Sequence, residues 1–134
     1  MIGAGQSTLE DVLVPFAHAQ GRVVVPESQP DKGFYFRSDH FEFAKAGVPA
    51  LFLDRGTDYV GRPAGWGQAK RQAYIDHDYH QVTDTIQPDW DLTGAAEDAQ
   101  LLFQVGYVVA QGDGSPQWKP ASEFRAAGEG RLRP

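Results

Sequence analysis

The sequence of 134 residues contains no cysteine. That absence excludes disulfides, thiolate metal sites and thiol nucleophiles, so His, Asp and Glu are left as the strong metal ligands. Basic residues are also few, because 12 Lys and Arg are outnumbered by 18 Asp and Glu and the net charge is −6. The longest basic run is Lys70-Arg71. We therefore expect no nucleic-acid partner, since a surface that follows phosphates needs many cations.

Long apolar runs are missing as well. The most apolar window, residues 101–110, is interrupted by Gln104 and has roughly half the length that a bilayer crossing needs. Residues 1–5 lack the basic and apolar regions of a signal peptide. We expect no membrane partner, and the sequence leaves the compartment undetermined.

The apolar residues that are present, 41% of the chain, suffice for one globular domain with a hydrophobic core. The spacing of Ser7-Thr8-Leu9-Glu10 is that of a capping box and predicts the start of a helix, for which Gly21 is a plausible end. Its apolar face is expected to comprise Leu9, Val12, Leu13 and Phe16. A second helix is expected over residues 39–46, after Ser38 as its N-cap. The longest helix is expected over residues 91–111. Its predicted buried stripe comprises Ala95, Ala99, Leu102, Phe103, Gly106 and Val109.

Continuous apolar runs at residues 23–25 and 51–53 predict strands that are covered on both faces, and residues 34–36 could form a third. The alternation of helices and strands predicts an α/β domain over residues 1–112, with helices packed on a mostly buried sheet. Residues 54–79 are rich in Gly and Pro and are expected to form a long loop. Residues 113–134 are expected to form an extended or flexible tail.

One cluster concentrates polar side chains near the end of the long loop: Asp76-His77-Asp78-Tyr79-His80, followed by Asp84. These residue types suit a metal site. They equally suit a solvated polar turn whose Asp residues cap helices, because the spacing His77-x-x-His80 matches no strong metal motif. The residues alone leave both alternatives open.

Two motifs resemble the C-terminal part of the co-catalytic zinc aminopeptidases, the family related to glutamate carboxypeptidase II, glutaminyl cyclase and the transferrin-receptor ectodomain. They are Arg37-Ser38-Asp39-His40-Phe41-x-Phe43-x-x-x-Gly47-Val48-Pro49-Ala50 and Tyr79-His80-x-x-x-Asp84-Thr85. The resemblance extends from about Gly3 to Ala110. It implies a partial zinc-peptidase-like sandwich, the C-terminal portion of the domain only.

The resemblance also implies roles for particular residues. His80 matches a ligand of the two zinc ions, and Tyr79 matches the residue that donates its phenol to the oxyanion of the tetrahedral intermediate. Asp84 would orient the loop behind them. Arg37 and Asp39 match the active-site wall, where Arg37 would bind a substrate carboxylate. In the family the other four zinc ligands and the general base lie upstream of the matched stretch.

Two functions follow as hypotheses. In the first, the chain is the C-terminal portion of a zinc-dependent aminopeptidase-like hydrolase that removes N-terminal residues from peptides. Its longer parent protein would be periplasmic or secreted, as relatives often are. In the second, the chain is a non-catalytic binding or interaction module on the same scaffold. In either case we expect the isolated chain to lack peptidase activity, to bind zinc weakly or not at all, and to self-associate through an exposed sheet edge.

Overall fold

Helices provide the regular secondary structure of this protein. The computed structural model describes residues 1–131 and contains five α-helices: α1 (Leu9–Ala19), α2 (His40–Lys45), α3 (Trp66–His77), α4 (Thr93–Gln111) and α5 (Arg125–Arg131). Two short 3-10 helices, Pro30–Lys32 and Phe34–Arg37, precede α2. Within residues 1–131 there is no β-strand, and the β-type pairs are isolated bridges, Ile2 with Phe52 and Ser7 with Trp118.

The predicted α/β fold, with helices on a mostly buried sheet, is therefore wrong. A strand needs successive hydrogen bonds to a neighbour, and the apolar runs do not obtain them. The Ile2 amide donates to the Phe52 carbonyl at 3.0 Å and the Glu27 amide donates to the Met1 carbonyl at 3.1 Å. Together with a bond from the Met1 ammonium to the Val25 carbonyl, these isolated contacts do not form a strand, and Val23 is 76% exposed. Residues 34–36, the possible third strand, lie in a 3-10 helix.

The chain divides into two compact parts. Unit one comprises residues 1–53 and the chain from Thr93 onward, and unit two comprises residues 54–92. This division differs from the boundary expected at residues 112–113. We describe each unit by itself.

Helix α1 forms where the sequence predicts it, with its apolar face inward. Leu9, Leu13 and Ala17 are buried, and Val12 and Phe16 are partly buried. The helix packs on α4, so the apolar spacing of α1 correctly identifies the side of the helix that enters the core.

Helix α4 forms as predicted, but a different face is buried. Leu101 and Val105 lie in the core against α1, whereas Leu102 and Phe103 of the predicted stripe are exposed. The second half of α4 is apolar nearly all round, so its periodicity does not determine which face turns inward. No helix within residues 1–131 combines the length and apolar character required to span a membrane.

The segment after residue 113 contributes to a second core in unit one. Trp118 and Phe124 are buried there together with Ile2, Tyr35 and Ala44. The sequence predicts an extended or flexible tail over residues 113–134; residues 113–131 contain two buried aromatic residues followed by α5, and residues 132–134 lie outside the described part of the chain. Two aromatics separated by five polar or small residues give no periodic signal, which explains the difference.

Helix α3 occupies part of the segment predicted as an irregular loop. It begins after Gly65, whose φ of 81° lies in the left-handed region. The stretch Gln68-Ala69-Lys70-Arg71-Gln72-Ala73 consists of good helix formers. Gly67 is the buried residue of this helix, so the sequence has no apolar stripe by which the helix could be recognised.

Candidate active site

The Tyr79–His80 pair lies in a tight turn after the C-terminus of α3, in unit two. The amides of Asp78 and Tyr79 both donate to the Tyr74 carbonyl at 2.9 Å. The Gln81 amide donates to the Asp78 carbonyl at 2.8 Å, which closes the turn. The Thr83 hydroxyl donates to the His77 carbonyl at 2.9 Å. Backbone and side-chain hydrogen bonds therefore hold the pair from both sides.

His80 has a left-handed backbone, with φ of 60°. Within residues 1–131 it is the only residue other than glycine with a positive φ. For a residue with a Cβ this conformation is strained, and such strain persists only where the surroundings enforce it, often at functional sites. The conformation therefore marks His80 as a residue whose side-chain direction is specified by the turn.

The Tyr79 side chain is exposed but not isolated. Its ring centroid lies 4.1 Å from that of His80 and 5.9 Å from that of Tyr74. The side chain is 52% exposed, so the phenol is accessible to a ligand. Ring contacts on two sides and an accessible hydroxyl are the properties required of a hydrogen-bond donor held ready for a substrate.

Asp84 contacts the pair through Tyr74. The Tyr74 hydroxyl donates to Oδ2 of Asp84 at 2.9 Å. This hydrogen bond is the main reason why the pKa of Tyr74 is raised above its ordinary value, since a phenol that donates to a carboxylate resists deprotonation. The Arg55 guanidinium lies 5.3 Å from the centroid of the Tyr74 ring. Asp84 thus anchors the aromatic residue on which Tyr79 packs.

The rest of the polar cluster has local structural partners. Gln72 Nε2 donates to Oδ1 of Asp76 at 2.7 Å, one turn apart on α3. Within residues 1–131 no group of three or more His, Asp, Glu or Cys side chains is arranged to hold a metal ion. A catalytic zinc usually has three protein ligands, so His80 and its neighbours in this part of the chain do not form a complete zinc site.

Arg37 and Asp39, predicted on the active-site wall, lie in unit one. Arg37 ends the second 3-10 helix, and its guanidinium lies 6.0 Å from the centroid of the Phe34 ring. Asp39 is the N-cap of α2, where the sequence predicts Ser38. Both side chains are exposed. The structure places Tyr79 and His80 in one turn and connects Asp84 to them through Tyr74. It places Arg37 and Asp39 on two other elements that are adjacent along the chain.

Two further residues near these positions have contacts that the sequence does not predict: Tyr74, which has no assigned role, and His40, which is expected to be structural. Tyr74 carries the contacts that support Tyr79, yet nothing in its spacing from Asp84 predicts a hydrogen bond. His40 is sandwiched in unit one, with its ring centroid 4.5 Å from Tyr35 and 4.8 Å from Phe52. Burial lowers the pKa of His40. The motif itself contains His40, but only the fold reveals that its ring is packed among aromatics.

Comparison with known proteins gives one match. The family model of Peptidase family M28 matches residues 1–104, a stretch that contains Arg37, Asp39, Tyr79, His80 and Asp84. No curated protein and no solved structure matches the chain. The match confirms the resemblance to co-catalytic zinc aminopeptidases, whose members are generally zinc-dependent hydrolases. Since the match covers more than half of the sequence, the chain belongs to Peptidase family M28.

Proposed function

We propose that this chain is the C-terminal portion of a zinc-dependent aminopeptidase-like hydrolase that removes N-terminal residues from peptides. Membership of Peptidase family M28 supports the reaction class. The observation that carries the proposal is the turn that holds His80 in a left-handed conformation directly beside the accessible phenol of Tyr79.

In this proposal Tyr79 acts on the substrate carbonyl. Its hydroxyl donates a hydrogen bond to the oxygen that becomes negative when the carbonyl is attacked, and the donation is stronger in the transition state than in the ground state. Asp84 is a positioning residue, because it holds Tyr74 against the Tyr79 ring. For Arg37, in unit one, we propose a role in binding a substrate carboxylate, with Asp39 lining the substrate site at the N-terminus of α2.

His80 provides one zinc ligand in this proposal. The described residues do not complete a zinc site, so we derive no catalytic step through the metal. The expectation that the isolated chain lacks peptidase activity and binds zinc weakly or not at all rests on the same shortage of ligands.

The test of the proposed role is kinetic. In the full-length protein encoded by the reading frame, Tyr79→Phe should lower kcat by about 10²–10³-fold with little change in KM, because the lost donation is made in the transition state. Tyr59→Phe, at an exposed position in unit two, is the matched control and should leave both constants unchanged. A kcat for Tyr79→Phe within twofold of the wild type would show that the Tyr79 hydroxyl has no catalytic role and that the residue contributes only to packing.

The second candidate function, a non-catalytic interaction module, is favoured by the outer face of α4. Four apolar side chains there are exposed, a set we name the α4 surface: Leu102, Phe103, Tyr107 and Val108. The rings of Phe103 and Tyr107 stack with centroids 6.1 Å apart. Exposed apolar side chains that contact one another, as Phe103 and Tyr107 do, are typical of protein interaction sites. A second copy of this chain is the partner that we propose for this surface, in place of a sheet edge.

Sedimentation velocity across a concentration series tests this candidate. We expect the mass of the wild-type chain to rise with concentration, and Phe103→Glu to remain a monomer, because it places a charge on the most exposed ring of the α4 surface. Val60→Glu, at a fully exposed position in unit two, controls for added charge. A wild-type chain that is monomeric throughout the series would rule out self-association.

A further inference from the structure

A cavity in unit one has no part in the proposed peptidase site. Its volume is about 290 Å³. Polar and acidic residues that line it include Gln6, Glu27, Tyr35 and Glu123, and apolar residues include Pro26 and Phe36. Gly3 also borders it, and a Cβ on Gly3 would lie 2.4 Å from the Tyr35 ring. The close approach of a glycine thus allows the aromatic ring to form one wall.

Three polar atoms of the lining residues lack a partner. Within residues 1–131, no group hydrogen bonds to Oε1 of Gln6, Oε2 of Glu27 or the hydroxyl of Tyr35, and all three atoms are buried. Tyr35 as a whole is 8% exposed. Buried polar atoms in native proteins are nearly always paired, because an unpaired one costs about 1–3 kcal/mol. All three residues line the cavity, so a hydrogen-bond donor bound there would be a partner for these atoms.

The charge of the lining determines what kind of donor fits. Glu27 and Glu123 are both acidic, and no Lys, Arg or His is among the described residues that line the cavity. Burial and the negative charge of Glu123 together raise the pKa of Tyr35 to about 12, which shows that the Glu123 charge acts on the buried phenol. The Met1 ammonium donates to the carbonyl of Val25, which is near Glu27 in sequence, but Met1 is not among the described residues that line the cavity. Two carboxylates among described lining residues that include no Lys, Arg or His favour a cation over a neutral ligand or an anion.

The apolar part of the lining determines what the cation is attached to. Pro26 and Phe36 provide a surface for a short hydrocarbon chain, as the stems of Lys and Arg pack on apolar surface while their charged ends reach polar groups. We propose that this cavity binds an alkylammonium or alkylguanidinium group, with the charged end at Glu27 and Glu123 and the alkyl stem on Pro26 and Phe36. The proposal is independent of the peptidase function.

An alkylammonium or alkylguanidinium group can belong to a small free amine or guanidine or to a Lys or Arg side chain of a peptide. Binding measurements with the full chain distinguish these two kinds of ligand. We would follow the amide signals of Gly3 and Tyr35 by NMR while adding butylammonium, butylguanidinium, Nα-acetyl-lysine methylamide or, as the neutral control, 1-butanol. We expect the cations to bind at least tenfold more tightly than 1-butanol. Binding of the lysine derivative as well would identify a peptide side chain as an admissible ligand, and binding of the free cations alone would identify a small amine. Equal binding of 1-butanol and the cations would overturn the proposal.

Variants test the named residues. Glu27→Gln should weaken binding of butylammonium at least tenfold, and Glu42→Gln, on α2 and outside the cavity, should leave it unchanged. Tyr35→Phe keeps the aromatic wall and removes only the hydroxyl, so it should fold and bind more weakly than the wild type. The comparison of cations with 1-butanol uses only the wild-type chain, so it tests the proposal even if a variant does not fold. Unchanged affinity in both Glu27→Gln and Tyr35→Phe would contradict the assignment.

Discussion

The Tyr74 hydroxyl donates a 2.9 Å hydrogen bond to Oδ2 of Asp84 and thereby ties the last turn of α3 to the segment that follows His80. The family resemblance implies that Asp84 orients the loop behind Tyr79 and His80. The structure shows that the residue to which Asp84 is hydrogen-bonded is Tyr74. Tyr74 in turn lies against the Tyr79 ring, with centroids 5.9 Å apart.

The first prediction concerns the titration of Tyr74. Its pKa is raised, chiefly by the hydrogen bond to Asp84, so Asp84→Asn should lower it toward the ordinary value of a tyrosine by removing the acceptor's charge. Asp89→Asn, at an exposed position in the same unit, should not. A pH titration of the tyrosine ring carbons by NMR measures both. If the Tyr74 titration is the same in Asp84→Asn and in the wild type, the hydrogen bond does not form in solution.

A second prediction concerns the stability of unit one at mildly acid pH. Both ring nitrogens of His40 are buried and have no hydrogen-bond partner within residues 1–131, and burial lowers the pKa below the usual 6.5. The unfolded chain therefore binds a proton at a higher pH than the folded chain. The contribution of neutral His40 to stability is complete above about pH 6.5 and decreases as the pH falls below that value.

Urea unfolding between pH 7.5 and pH 5 tests this. We expect the free energy of unfolding to fall toward pH 5, and His40→Phe, which keeps the ring contacts with Tyr35 and Phe52, to reduce that fall. His18→Gln removes an exposed histidine on α1 and is the control for the loss of a histidine as such. A His40→Phe profile parallel to that of the wild type would show that His40 titrates alike in both states.

The third prediction concerns the segment after residue 113. Trp118 is buried, and its Nε1 donates to the Gly47 carbonyl at 3.1 Å. Trp118→Ala should therefore lower the free energy of unfolding by about 3–5 kcal/mol. Trp118→Phe should cost less, because Arg131 Nε also donates to the Gly47 carbonyl, at 3.2 Å, and leaves it paired.

The matched control is Trp90→Ala, since Trp90 is 51% exposed in unit two and its removal should change stability by less than about 0.5 kcal/mol. Urea denaturation of the three variants gives the comparison. Equal stability of Trp118→Ala and Trp90→Ala would mean that the segment is a flexible tail, as the sequence predicts.

The sequence predicts helices where the local signal is strong. Helix α1 has the predicted apolar face, but its N-cap is Thr8 rather than Ser7 and makes no side-chain cap hydrogen bond. Helix α4 is long enough to be recognised from its apolar content. The sequence does not predict α3, because helix formers without an apolar stripe resemble a polar loop. It also predicts strands at residues 23–25 and 51–53 wrongly. A β-branched run indicates an extended backbone, but pairing depends on a partner elsewhere in the chain.

The candidate site depends on two kinds of information. The Tyr79-His80 motif is recognisable from the residues, and the family match supports it. The left-handed conformation of His80 and the support of Tyr79 by Tyr74 arise from hydrogen bonds between residues up to ten positions apart. No periodicity encodes such contacts, so they become visible only in the folded chain.

The central claim is that His80 serves zinc-dependent peptide hydrolysis. Its most direct test is the zinc content and the turnover of an aminoacyl 4-nitroanilide, both measured on the full-length protein encoded by the reading frame. His77→Ala, at the exposed C-terminal residue of α3, is the control and should keep zinc and activity at wild-type levels. We predict that His80→Ala loses bound zinc and most of the turnover. Unchanged zinc content and turnover in His80→Ala would contradict the account.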